Sequence, residues 1–562
     1  VRGRPAKAFH YQFQGSPGEP RCCQTAANGP VQRGSPRPAV RATKRAMIST
    51  WAYAWQLLTN NERPQEISML LTLVGLYFFG SQTLQKSSMP NIIFILADDL
   101  GWDDVSFHGS PQIPTPNMDA LAADGIILNQ HYAQALCTPS RAALMTGRYP
   151  IYTGMQHFVI QPGEPWGLPL EYRLMPEFFR DLGYKTHMVG KWHLGSFKKD
   201  FIPVRRGFDS FYGFYNADQD YYNKTLTEGE HTGYDFWLND DIHIYPNNRY
   251  STHHYTERAV SLIRSHNPSQ PLFLYLSYQA PHVGTGPSLL EAPEENVNKF
   301  LYIPEKNRTI YAGMVDALDQ SIGTIMEALQ EADLIGNTIV VFTSDNGALP
   351  WGVKSNRGYN WPLRGGKFTL WEGGLRTTAF IWSPLLEKSR RVSNQMMHIA
   401  DWLPTLYSAA GGDPSTLGSI DGVNMWHALS REAASPRQEI VHNVDSKLNL
   451  SGIRVGKYKL IVGTFNDSLY DGRFRTVQGH DPRTDLDVLM KSSAASKVLG
   501  ALYSSPSLQV PSGWRGQASI KCDTDAPEDG LTADDHVYLF DIEKDPCEMV
   551  NIAGKNKEVS VY

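Results

Sequence analysis

Four short apolar runs, each breaking off into charged or amide-bearing residues, constrain this chain more than any other feature. They read NIIFILADD (91–99), YKTHMVGKWH (184–193), PLFLYLSYQAPH (271–282) and NTIVVFTSDNG (337–347). An apolar run such as Ile92–Ala97, with no polar alternation, is what a parallel strand covered on both faces requires. In open α/β sheets ligands bind just beyond the carboxyl ends of the strands. The residues that end these runs are Asp98 and Asp99, Lys191 and His193, His282, and Asp345 and Asn346. They are therefore expected to converge on one rim.

Amphipathic stretches lie between the runs, so the expected class is α/β. Residues 308–334 place Ile310, Met314, Ala317, Leu318, Ile322, Ile325, Met326 and Leu329 at helical spacing, which predicts a helix with its stripe in the core. After about residue 435 the pattern turns to GIRVGKYKLIVG and HVYLFDI, which predict a smaller antiparallel subdomain. The expected division is a leader over 1–88, a catalytic domain over 89–435 and a C-terminal subdomain over 436–562, cut short at its end. The first fifty residues, rich in Arg, Gly, Pro and Ser, read as disordered. Met69–Phe79, MLLTLVGLYFF, is too short for a comfortable bilayer span and reads better as the apolar part of a signal sequence over about 69–80, with a buried or anchor segment as the alternative.

A net charge of -5 over 562 residues gives no reason to expect nucleic acid as a partner. Any affinity for an anion must come from a local cluster. The five cysteines are too few for a disulfide scaffold, although Cys522 and Cys547 are spaced to clip a late subdomain in an oxidising compartment. Sequons at Asn223, Asn307, Asn449 and Asn466 point mildly the same way.

Asp98, Asp99, Asp345 and Asn346 offer only oxygen donors, which suits a hard cation, Ca²⁺ or Mg²⁺, over zinc. Such residues also make ordinary turns after strands, but carboxylates gathered at one rim would repel unless a metal joined them. Arg141, Lys191, His193, His282 and Lys367 supply the opposite charge. Lys367 lies in LRGGKFTLWEGG, where glycines let the backbone approach a ligand. A metal among cations describes a pocket for a tetrahedral anion or its monoester. Cys137 precedes Thr138, a possible cap, and Pro139, with Gly147 to end the helix. It is thus expected at a helix N-terminus, where anions are favoured. A small buried thiol and a dipole-activated thiolate are both open readings, and neither accounts for Pro139 and Arg141 at this spacing.

The run Cys137-Thr138-Pro139-Ser140-Arg141, followed by ALMTGRYP, resembles the type I sulfatase signature. ILADDLGWDD, GKWHLG, APH, SDNG and NWPLRGGKFTLWEGG accompany it in order, and the wording is most similar to the arylsulfatase B group with its I and J relatives. The resemblance implies an alkaline-phosphatase-like, mostly parallel mixed sheet between helices. It implies that Cys137 becomes formylglycine, made by the formylglycine-generating enzyme, and that its hydrate is the nucleophile. Asp98, Asp99, Asp345 and Asn346, with the modified Cys137, would hold one Ca²⁺. Arg141 and Lys191 would hold and polarise the hydrate, His282 and Lys367 would bind sulfate and assist the leaving alcohol, and His193 would assist elimination.

The implied activity is hydrolysis of an aryl sulfate or a sulfated glycan such as one ending in N-acetylgalactosamine 4-sulfate, in the secretory pathway, lysosomal or extracellular, with no stable membrane span. Residues 218–241, from DQDYYNKT to YDFWLNDD, carry aromatics and acids that could shape a sugar pocket or form a surface loop. The alternatives are a phosphodiesterase or phosphonate monoester hydrolase of the same superfamily, and a catalytically silent binding protein.

Overall fold

The computed structural model describes residues 87–244, 248–286, 288–506, 508–522, 531 and 536–555. Met69–Phe79 and nearly all of the leader lie outside the described residues. Among the described residues no helix is long and apolar enough to cross a membrane.

Ten strands form one sheet: β1 (Asn91–Ala97), β2 (Ile126–Leu128), β3 (Lys185–Lys191), β4 (Ser210–Phe214), β5 (Trp237–Leu238), β6 (Asp241–Ile242), β7 (Leu272–Ser277), β8 (Thr338–Ser344), β9 (Ala379–Trp382) and β10 (Arg391–Ser393). Their order is β10-β2-β9-β8-β1-β7-β3-β4-β5-β6. The central five, β8, β1, β7, β3 and β4, are mutually parallel, and antiparallel neighbours flank them. Every residue of β1 is buried. Ile93 and Ile95 join one core cluster and Ile92, Phe94 and Leu96 another, because successive side chains point to opposite faces. Helix α1 (Cys137–Thr146) covers the second face through Ala142, Leu144 and Met145. Helices α2 (Ser251–Arg264) and α3 (Lys306–Glu331) cover the first through Tyr255, Ile263, Leu318, Ile325 and Leu329.

The predicted stripe of α3 is buried apart from Ile310, which is half-buried. The helix starts where the Glu305 carboxylate accepts the N–H groups of Asn307 and Arg308, satisfying donors that have no intrahelical partner. Register matters most at β1 and β8. Ala97 lies opposite Ser344, so Asp98 and Asp345 leave the sheet side by side.

The late antiparallel sheet is present as β11 (Glu439–Asp445), β12 (Leu450–Val455), β13 (Tyr458–Val462) and β14 (Val537–Asp541), in that order. Ile440, Leu450, Ile461, Tyr538 and Phe540 pack on Tyr132, Trp371 and Leu375. Within this contact Lys459 Nζ sits, fully buried, 2.8 Å from both Glu372 Oε1 and Glu548 Oε1. Glu548 Oε2 also accepts the Glu372 N–H at 2.7 Å, and its carbonyl accepts Arg364 Nε at 3.1 Å. Lys459 of the late sheet and Glu548 beyond its last strand thereby grip the two ends of the loop that carries Lys367.

Burial pushes the Glu548 carboxyl up to about 7, with Lys459 opposing and the Glu372 charge adding to it. A raised carboxyl takes up protons on folding, so its contribution to stability falls as pH rises from its ordinary value towards 7. The thermal-stability advantage of wild type over Glu548→Gln is therefore expected to shrink between pH 5 and pH 8. A constant difference would show that Glu548 does not titrate in that window.

Cys522 and Cys547 form a disulfide across 25 residues, as their spacing suggested. Closing a loop of that length constrains the unfolded chain by about 3 kcal/mol. Cys547→Ser is expected to lower unfolding stability by that order, read by denaturant titration under non-reducing conditions. Wild type in reductant should match it.

Candidate active site

Cys137 is the first residue of α1 and is almost fully buried. Gly147 ends the helix in the left-handed region, at φ 67°. Thr138 is not the cap: Leu136 holds that position without a side-chain bond, and Thr138 Oγ1 instead donates to the His193 carbonyl at 3.1 Å. Pro139 accordingly falls at the third helical position, where a missing N–H still costs no intrahelical bond.

The rim predicted from the four runs exists. Lys191 Nζ lies 2.6 Å from Asp98 Oδ2, and Cys137 Sγ is 3.5 Å from Asp98 Oδ1. Lys367 Nζ lies 2.7 Å from Asp99 Oδ2 and 3.2 Å from His282 Nε2. Arg141 forks onto Asp345 Oδ2, from Nε at 3.1 Å and Nη2 at 2.8 Å. Asn346 Nδ2 donates to Asp99 Oδ1 at 2.6 Å, and the Asp99 N–H donates to Asp345 Oδ1 at 3.3 Å. Asp99 and His193 sit at positive φ, 60° and 56°, an unusual conformation for non-glycine residues that clusters at functional sites.

Three buried carboxylates face three buried cations, so the electrostatics are tightly matched. Burial tends to raise Asp98 and Asp99, but Lys191, His282 and Arg141 together outweigh it at Asp98, as Lys367 and His282 do at Asp99, and hold both below the usual carboxylate range. The Cys137 thiol is driven well above its usual value, first by burial and then by Asp345, despite Lys191 and Lys367. A thiolate activated by the helix dipole does not fit that environment. His193 Nε2 is 3.0 Å from the Ile160 carbonyl, which can only accept, so the proton is on Nε2. Nδ1 is buried with no hydrogen-bond partner. Burial, then Lys191 and Arg141, keep this ring neutral by lowering it well below the usual histidine range. A neutral ring with a bare Nδ1 can accept a proton.

Asn346 Oδ1 is likewise buried with no hydrogen-bond partner. A buried amide oxygen left bare costs about 1–3 kcal/mol, unless something absent from the polypeptide uses it. Ligand atoms of Asp98, Asp99, Cys137 and His282 lie within 4.8 Å of one another. A bare amide oxygen beside carboxylates fits a hard divalent cation.

Two hydroxyls belong to the site that the apolar runs did not single out. Ser277 Oγ accepts from Arg141 Nη1 at 2.6 Å. Ser140 Oγ donates to the Asp345 carbonyl and accepts the Gln134 N–H. Ser140 lies inside the Cys137–Arg141 run, so its signal was present; Ser277 looks like any strand-terminal serine.

A profile of the family described as Sulfatase matches residues 90–412. Arylsulfatase J of Mus musculus is 44% identical over 361 residues, 64% of this chain and 59% of that protein. The chain thus spans under two thirds of that relative's length. N-acetylgalactosamine-6-sulfatase of Homo sapiens is 34% identical over 67% of this chain and 72% of that protein. Among solved structures, Ps i-CgsB in complex with k-i-k-neocarrahexaose is 27% identical, with a TM-score of 0.65 over 84% of this chain and 90% of that one.

Proposed function

The chain belongs to the sulfatase family, and from that premise we propose that it hydrolyses sulfate monoesters on glycans, with residue 137 in its oxidised, formylglycine form as nucleophile. The observation that carries the reading is the position of Cys137. It heads α1, sits against Asp98, and lies within the electrostatic reach of Lys191, Lys367 and Arg141.

In this reading the thiol sulfur stands where one oxygen of the aldehyde hydrate would be. The oxidation itself comes from outside, through the formylglycine-generating enzyme. One hydrate hydroxyl attacks sulfur and the S–O bond to the alcohol breaks, its departure assisted by Lys367 and His282. Arg141 and Lys191 orient the hydrate. His193 Nδ1 then takes the proton of the second hydroxyl, the C=O bond re-forms, and the C–O bond to sulfate breaks. Water adds to the aldehyde and restores the hydrate. A plain hydroxyl or thiol nucleophile would be left as an ester needing separate hydrolysis, whereas a geminal diol expels its own product. Asp98, Asp99, Asp345 and Asn346, with residue 137, would hold Ca²⁺, which when bound stabilises charge growing on the sulfuryl oxygens.

The substrate is proposed to be a sulfated N-acetylgalactosamine unit, at the 4-position following the arylsulfatase B resemblance. The name of N-acetylgalactosamine-6-sulfatase and the oligosaccharide bound to Ps i-CgsB support the glycan class. The disulfide supports passage through the secretory pathway, towards a lysosomal or extracellular destination. We take residues 89–435 as the catalytic domain and 436–562 as its C-terminal companion.

The test compares an aryl sulfate with the matching aryl phosphate; faster phosphate cleavage would overturn the assignment in favour of a phosphohydrolase. Chelation is the companion test. Dialysis against EGTA is expected to lower kcat/KM on the order of 100-fold, equivalent to about 3 kcal/mol of barrier, with recovery on adding Ca²⁺. Full activity in the metal-free protein would remove the ion from the reading.

A further inference from the structure

A cavity of about 320 Å³ opens at the same carboxyl rim, one strand past the catalytic cluster. Its walls include Ser196, three residues after His193, Tyr215 and Asn216 at the end of β4, and Trp237 in β5 opposite Gly213. The size falls within the range of small-molecule pockets, roughly 300–1,000 Å³. The second half of the aromatic and acidic segment singled out in the sequence, YDFWLNDD, supplies much of the lining.

The wall of the cavity is tied to the active site through the backbone. The His193 N–H donates to the Tyr215 carbonyl at 3.0 Å, so the proposed base and the cavity wall share a backbone bond. From β1 to β4 there are three strand spacings, which places Tyr215 roughly 14 Å along the rim from Asp98. A small aryl sulfate held at residue 137 would not reach it. A short oligosaccharide would.

The lining also indicates what fits. The indole of Trp237 is half-buried and stacks on Tyr215 at a centroid separation of 4.8 Å. Its Nε1 donates to Asp235 Oδ1 at 2.7 Å. Asp235 is buried and also accepts the N–H groups of Tyr215 and Asn216, at 3.2 and 3.1 Å, and Asn216 Nδ2 at 2.8 Å. The aromatic wall is therefore fixed before any ligand arrives, which saves ordering cost. Lys199 is the sole cation of the lining, and it pairs with Asp240 at 3.4 Å while Asp235 adds a second carboxylate to the walls. That balance disfavours an anion and leaves hydroxyl, amide and carboxylate groups around an aromatic surface.

We propose that this cavity binds an unsulfated sugar residue of the substrate glycan, beyond the residue that carries the scissile sulfate. The proposal rests on the function given above and extends it from one sulfated unit to a chain.

The experiment measures kcat/KM for an aryl sulfate and for a tetrasaccharide carrying one sulfate on a terminal N-acetylgalactosamine, in wild type, Trp237→Ala and Trp237→Phe. The ratio of tetrasaccharide to aryl sulfate is expected to fall about tenfold in Trp237→Ala and to recover most of that loss in Trp237→Phe. An unchanged ratio overturns the proposal. So does an equal loss on both substrates, which would make Trp237 a purely structural residue. Failure of wild type on both substrates would instead overturn the sulfatase reading. Binding of the desulfated tetrasaccharide, read by isothermal titration calorimetry in wild type and Trp237→Ala, then decides the cavity alone: binding heat lost in Trp237→Ala supports it, and no binding heat in wild type overturns it.

Discussion

Cys137→Ala is expected to leave the protein folded and to abolish sulfate-ester turnover, with kcat/KM falling about 10⁴-fold or more. Losses of that size follow removal of a covalent nucleophile, because the surviving charged groups can bind the ester but have nothing to accept SO₃. The fold should survive because the side chain fills little space, and its one polar contact is the long 3.5 Å approach to Asp98. Removing a raised-pKa thiol strands no charge. Mass spectrometry of the peptide bearing residue 137 supplies the companion measurement: aldehyde in place of thiol in active protein. Turnover by Cys137→Ala within tenfold of wild type, or full activity with an intact thiol, would end the proposed mechanism.

Asp345→Asn should be the most damaging substitution for stability, costing about 3–5 kcal/mol. Arg141 is fully buried, and its Nε and Nη2 both donate to Asp345 Oδ2. The asparagine keeps the shape but leaves a guanidinium only partly compensated by Asp98, 3.5 Å away. It also takes one carboxylate from the set proposed to hold the cation. Activity and unfolding free energy should therefore fall together. A lysine at position 141 would not substitute, since it lacks the planar fork. A stability change under 1 kcal/mol in Asp345→Asn would mean that water reaches this pair.

Much of this is legible in the sequence alone. Ile92–Ala97 had to be a strand covered on both faces because nothing polar interrupts it, and β1 is that strand. The residues that end the four runs meet because parallel strands deliver their carboxyl ends to one edge. Other parts were hidden for definite reasons. Thr138 has the chemistry of a cap, yet the His193 backbone competes for its hydroxyl from 55 residues away. Ser277 acquires its role only because Arg141 folds over β7. No local pattern marks Lys459, which looks like a polar residue in an exposed hairpin until Glu372 and Glu548 close on it. Such features depend on pairs far apart in sequence, which spacing rules do not reach. The cavity beside Trp237 lay between these cases: its aromatic and acidic composition was visible, but its place next to His193 depended on the order of β3, β4 and β5.

That lysine also bears on the order of assembly. Lys367 is translated before residue 459, yet its loop is fastened by groups on both Lys459 and Glu548. A nascent chain released halfway through the late sheet would thus carry every group assigned to the chemistry and still be expected to lack a settled site. Synthesis and competence would part company until the stretch from Lys459 to Glu548 emerged and docked.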